Sequence, residues 1–136
     1  MAGTRHQARI ITLQALYEID SAGRGEDAVT ERVTARENLT EENRSFVRGL
    51  ISGAVKNREE IDKLIQTVAP AWPVDQIALI DRNILRLAIF EILYDNKVPA
   101  KVAVNEAVKL AKTFGSDSSA KFVNGVLGAV IAKANR

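Results

Sequence analysis

Two small clusters have the residue types and spacing to hold an anion or a base. Arg5, His6 and Arg9 sit in the first turns of a helical stretch. Arg5 and Arg9 stand four apart, on one helix face. Like charges at that spacing repel slightly, and a bridging phosphate would reverse the repulsion. Backbone amides at a helix start favour the same ligand. An exposed basic turn with no ligand fits these residues equally well. Lys121, Phe122 and Asn124 form the second cluster, just after Ser116, Asp117, Ser118 and Ser119 at another helix start. An aromatic ring flanked by Lys and Asn donors is a common way of holding an unpaired base. The competing reading packs Phe122 into a joint between helices, because lone aromatics at helical spacing are mostly core.

Other chemistry lacks its parts. The chain has one histidine and no cysteine, so a His/Cys zinc site is unavailable. A Ser-His-Asp triad would have to use His6, close to the terminus. No carboxylate pair has a spacing that demands acid–base work. A non-catalytic protein without metal or cofactor is expected. The absence of cysteine fits the cytoplasm. No apolar run approaches the roughly 18 residues of a membrane span, and no export signal opens the chain.

The net charge of +2 is unevenly spread. Residues 1–17 carry two arginines and no acid, residues 18–96 a net −5, and residues 97–136 a net +5. Basic ends around an acidic middle suit a polyanion face and a separate face for a basic partner, although random clustering on a solvated surface gives the same pattern. Arg82 and Arg86, four apart, and Lys101, Lys109 and Lys112 read mostly as solvated surface charges. Tyr17, Asp81, Glu91 and Tyr94 are candidates for contact with a protein partner, with Asp81 alternatively a helix cap.

The elements that must position these residues read as helices almost throughout. Thr4 can cap a first helix to about Ser21, apolar nearly all round and therefore buried from several sides. Its first turn is expected to project outward. Gly23 and Gly25 mark a loop, and a modest helix spans about Asp27 to Glu37. Thr40 caps a third helix whose stripe is Phe46, Val47, Leu50, Ile51, Ala54 and Val55. A fourth runs from Glu59 to Ala69. Pro70-Ala71-Trp72-Pro73 breaks the pattern and marks a subdomain boundary near 70–74 within one domain over 1–136. Trp72 is expected to plug that joint. A helical turn over Asp75 to Ile80 leads into one helix from Asp81 to Asp95. Another runs from Val102 to Phe114, stopped by Gly115. The last runs from Ser119 to Lys133, where Gly125 and Gly128 would admit a neighbouring helix closely. No segment alternates as a strand. The fold class is all-α, about seven helices in two small bundles sharing a core.

The segments ALYEID at Ala15 to Asp20, DRNILRLAIFEIL from Asp81, VPAKVAVNEAVKLAKTFG from Val98 and SSAKFVNGVL at Ser118 to Leu127 carry a family resemblance. In this order and spacing the chain resembles the NusB family of bacterial transcription antitermination factors, less closely over Ala22 to Arg58. The resemblance implies binding of single-stranded boxA RNA from ribosomal RNA operon leaders. It also implies a heterodimer with the ribosomal protein NusE, loaded onto RNA polymerase to suppress premature termination. By position, RNA contacts would fall on Arg5, His6, Arg9, Lys121, Phe122 and Asn124, and also on Arg86 and Ser118. Partner contacts would fall on Tyr17 and Asp81. Many members carry a denser N-terminal Arg run, so boxA affinity here would lean more on the partner. Ser118 stands where an acid is frequent, which would favour RNA modestly. Two alternatives accompany this reading. One is the RNA-binding part of an RNA methyltransferase, disfavoured because no strand-then-Gly pattern follows before Arg136. The other is a helical interaction module that forms a homodimer through its partner face.

Overall fold

The computed structural model describes residues 4–36 and 38–135. Helix α1 spans Arg5–Ala22, α2 Glu26–Thr34, α3 Glu41–Lys56, α4 Arg58–Val68, α5 Leu79–Ile89, α6 Ala100–Phe114 and α7 Ser119–Ala134. A 3-10 turn, Val74–Gln76, precedes α5, and a π-helical turn, Phe90–Asp95, follows it.

Local chemistry explains most helix ends. Thr4 accepts from the Gln7 amide at 3.0 Å and Thr40 from the Asn43 amide at 3.1 Å, each satisfying a first-turn donor of its helix. Gly23 stops α1 at φ 64°, a left-handed position that suits glycine. The expected helix from Asp81 to Asp95 is instead two segments. It leaves α-register after Ile89 and closes on Asn96, whose N–H donates to the Glu91 carbonyl five residues back at 3.1 Å. That one-residue widening is a π-bulge, which periodicity alone does not announce.

Helix α1 packs against α2, α3 and α5, while α5 packs against α1, α6 and α7. These two helices are the spine shared by an α1–α2–α3 group and an α5–α6–α7 group. Helix α4 reaches across to α7 and α5. One continuous cluster of buried apolar side chains draws on all seven helices.

The glycines act differently from expectation. A Cβ at Gly125 or Gly128 would meet open space, so neither admits a neighbouring helix. The close approach occurs at Gly53, where a Cβ would overlap the Phe90 ring of the π-turn. Gly115 is not left-handed; its φ is −93°. Its smallness matters because a Cβ there would collide with Ser119, whose hydroxyl accepts from the Ser116 amide at 2.8 Å.

Candidate nucleic-acid interface

The basic first turn of α1 splits in two. The Arg5 side chain is half-exposed and its guanidinium lies 4.0 Å from the centre of the Phe46 ring. It donates to Asn43 Oδ1 at 2.9 Å and to Glu42 Oε1 at 3.4 Å. Its cation–π seat leaves charge at the surface. His6 is partly exposed, with Nδ1 3.0 Å from Glu106 Oε1.

Arg9 does not project outward; it is 3% exposed. Its Nε and Nη2 donate to the two carboxylate oxygens of Glu91 at 2.9 and 2.7 Å, and Nη1 lies 3.5 Å from Glu106. Burial alone would lower the Arg9 pKa, but hydrogen bonding and charge from Glu91 and Glu106 more than reverse it. Glu106 is likewise held below the usual carboxylate range: burial pushes it up, and His6, Lys109 and Arg9 outweigh that. Arg9 is therefore a buried tie from α1 to the π-turn and α6, with no free donor face for a phosphate. Glu91, 2% exposed, is occupied by the same pair and drops out as a partner contact.

Arg86 follows the same pattern. It is 4% exposed and forks onto Asp62 with bonds of 2.8 and 2.9 Å, while Nη1 donates to Asp20 Oδ2 at 2.9 Å. Arg82 donates twice to Asp20, at 2.8 and 3.0 Å, and Asn83 once, at 3.0 Å. Burial would raise the Asp20 pKa. Hydrogen bonds from Arg82 and Asn83, with the charges of Arg86 and Arg82, drive it far below the ordinary carboxylate range. These arginines pin the end of α1 to α4 and α5 and are not solvated surface charges. The Arg86 guanidinium is consumed by this network.

The start of α7 keeps its donors outward. Ser118, Lys121 and Asn124 are exposed, and the first turn of α7 holds no acid. Phe122 is half-buried against the core and meets Trp72 edge-to-face, with ring centres 6.3 Å apart and planes at 75°. Trp72 does not plug an internal joint; it is 54% exposed. The two rings, with Lys121, Ser118 and Ser116, line an open groove of about 410 Å³. Sequence reasoning missed Trp72 as a site residue. The available signal was its place between Pro70 and Pro73, on a loop that must run over the surface.

Asp81 also lines that groove and borders a second, of about 260 Å³, with Tyr17 and Phe114. It is 8% exposed, and its Oδ1 has no hydrogen-bond partner. Tyr17 and Phe114 are exposed, and a further groove of about 400 Å³ runs from them along Leu13 and Ile80. Tyr17 and Asp81 are thus brought to one face. Phe114, at the end of α6, joins them. Tyr94 is exposed elsewhere, stacked on Phe90 with ring centres 6.0 Å apart. Among the described residues no group of His, Asp and Glu is placed to hold a metal ion, and no helix is long and apolar enough to cross a membrane.

Residues 6–132 match the model of the NusB family. The chain belongs to the NusB family. It is 52% identical to the transcription antitermination protein NusB of Dehalococcoides mccartyi strain CBDB1, over 96% of this chain and 91% of that one. It is 48% identical to the protein of the same name from Herpetosiphon aurantiacus, over 95% and 90% of the two chains. Among solved structures, NusB of T. maritima superposes with a TM-score of 0.91 at 29% identity, covering 98% of this chain and 94% of that one. A NusB chain from a complex of the antitermination factors NusB and NusE with double-stranded RNA superposes with a TM-score of 0.87 at 27% identity, covering 95% and 96%. The all-helical fold expected of the family is the fold observed.

Proposed function

We propose that this chain is a non-catalytic, cytoplasmic transcription antitermination factor. It binds the boxA RNA of ribosomal RNA operon leaders as a single strand, together with NusE, and joins the complex that keeps RNA polymerase from stopping early. The observation that carries this reading is the start of α7. There a cationic and hydroxyl-bearing rim surrounds a half-open aromatic groove in a chain of the NusB family. Arg5, His6, Ser118, Lys121, Phe122 and Asn124 touch RNA in this reading. Arg9 and Arg86 act through position only. NusE sits on the face of Tyr17, Phe114 and Asp81, where apolar rings surround a carboxylate suited to a basic partner.

The test is a titration of labelled boxA and scrambled RNA, with and without NusE. With Arg5 and Lys121 as the exposed phosphate contacts, the logarithm of affinity should fall with the logarithm of salt at a slope of roughly −1.4. Equal affinity for boxA and scrambled RNA would sink the boxA assignment. Absence of binding to any RNA, even with NusE, would sink the RNA reading. The homodimer alternative would use the Tyr17 face, so light scattering with and without NusE separates the two assemblies.

A further inference from the structure

We propose that Trp72 and Phe122 form a slot for one unpaired nucleobase, making Trp72 an RNA-contacting residue in its own right. This rests on the RNA-binding reading above and names what its aromatic groove takes.

Trp72 is the chain's only tryptophan and, among the described residues, the most exposed large apolar side chain. An indole carries more buried-area potential than almost any other side chain, so leaving half of it in water needs a reason. The ring does not wander on a loose loop. Pro70 and Pro73 restrict the backbone on both sides. The Trp72 amide donates to the Ala69 carbonyl at 3.1 Å, and the Gln76 amide donates to the Pro73 carbonyl at 2.8 Å. Ile77, buried just after that turn, anchors it to the core. The indole is thus held out, pre-positioned, at little further entropic expense on binding.

The geometry suits a flat ligand. In an edge-to-face pair at 75° the edge of one ring meets a single face of the other, so π surface remains open to a third ring. The groove, about 410 Å³, lies at the lower end of the range for small-ligand sites, roughly 300–1,000 Å³, and suits one base with its sugar. Charge selects a nucleotide over an apolar peptide side chain. Lys121 stands at the rim beside Phe122, and the groove meets the N-terminal end of the 16-residue helix α7, whose first turn carries no acid, Asp117 lying just before its cap. Asp81, which also lines the groove, repels a phosphate, which favours the neutral base inside and its backbone at Lys121. A base inside a duplex is stacked on both faces, so the slot requires a single strand or a flipped-out nucleotide.

The sole tryptophan makes the test direct. The intact chain is titrated with labelled single-stranded boxA RNA while anisotropy reports binding and Trp72 emission reports the slot. Emission should be quenched along the same isotherm as the anisotropy. Trp72→Ala should weaken binding about tenfold, the size of one lost base stack, and Trp72→Phe should keep most of the affinity. One abasic position in the RNA should abolish quenching, and its loss should not add to that of Trp72→Ala. Helical circular dichroism checks that both variants stay folded. RNA binding with unchanged Trp72 emission, and unchanged affinity in Trp72→Ala, overturns the slot while leaving the RNA reading standing. Quenching by NusE alone, without RNA, assigns the groove to a protein contact and also overturns it. Failure of every RNA to bind removes the RNA reading, and the slot with it.

Discussion

Replacing Arg9 by alanine should unfold this protein more readily without acting chiefly on RNA. Arg9 is 3% exposed and Glu91 2%, and they share two charge-assisted hydrogen bonds of 2.9 and 2.7 Å. A buried ion pair adds little over a well-packed apolar pair, because desolvation offsets the attraction. Removing one partner is different: Glu91 would stay buried with its charge uncompensated, and Glu106 would lose a cation 3.5 Å away. The expected loss is about 3–5 kcal/mol. For a chain of this size that corresponds to a fall in Tm of roughly 10–20 °C. Urea unfolding followed by far-ultraviolet circular dichroism measures it. Arg9→Met with Glu91→Gln should recover a good part of the loss, since the penalty comes from the stranded carboxylate. RNA affinity, measured well below the new Tm, should change by less than about threefold, as expected where no contact is removed. A stability change under about 1 kcal/mol together with a large drop in RNA affinity would refute the burial argument. It would return Arg9 to the phosphate-binding surface.

Four further outcomes follow from the same geometry. The folded-state pKa of Asp20 lies far below its unfolded value of about 3.9. Its contribution should therefore be fully present above about pH 5 and be lost as pH falls toward the depressed folded value; Asp20→Asn should lower stability at neutral pH and flatten that acid limb in urea titrations. Gly53→Ala would ordinarily gain about 0.5–1 kcal/mol in a helix interior. Here it should lose about 1–3 kcal/mol by overlap with Phe90, with partial recovery in Gly53→Ala/Phe90→Leu. Lys121→Ala should reduce the salt slope of RNA binding by about 0.7 while moving stability by less than about 0.5 kcal/mol. Arg86→Ala should do the reverse, costing about 3–5 kcal/mol and leaving the slope alone, because its guanidinium is spent on Asp62 and Asp20.

Much of the architecture was legible in the order of residues. Thr4 and Thr40 marked helix starts, and Gly23 marked an end, because capping is satisfied within a few bonds of the chain. The stripe Val47, Leu50, Ile51 and Ala54 told which face of α3 turns inward, since 3.6-residue periodicity is itself local. The second cluster, Ser118 to Asn124, was legible for a similar reason: a helix start with outward donors needs no distant partner to be exposed. The π-turn was not legible. It begins at Phe90, whose ring packs on Gly53, a contact between elements far apart in the chain that no local pattern encodes.

What the sequence determined by itself is therefore the set of helices, their inward faces and, through shared blocks, membership of the NusB family. What only the tertiary structure decided is which arginines reach the surface. Arg5 and Arg9 share a face by spacing, yet Arg5 rests at the surface on Phe46 while Arg9 is drawn under it by Glu91, 82 residues away. Arg86 is captured by Asp20, 66 residues away, and by Asp62, 24 residues away. Helical spacing places a side chain on a face. It does not say whether that face meets water or a carboxylate brought in from another helix, because ion pairing depends on distance through space and burial, not on separation along the chain. The same holds for Trp72, whose exposure is set by where two prolines carry the loop after α4 relative to α7.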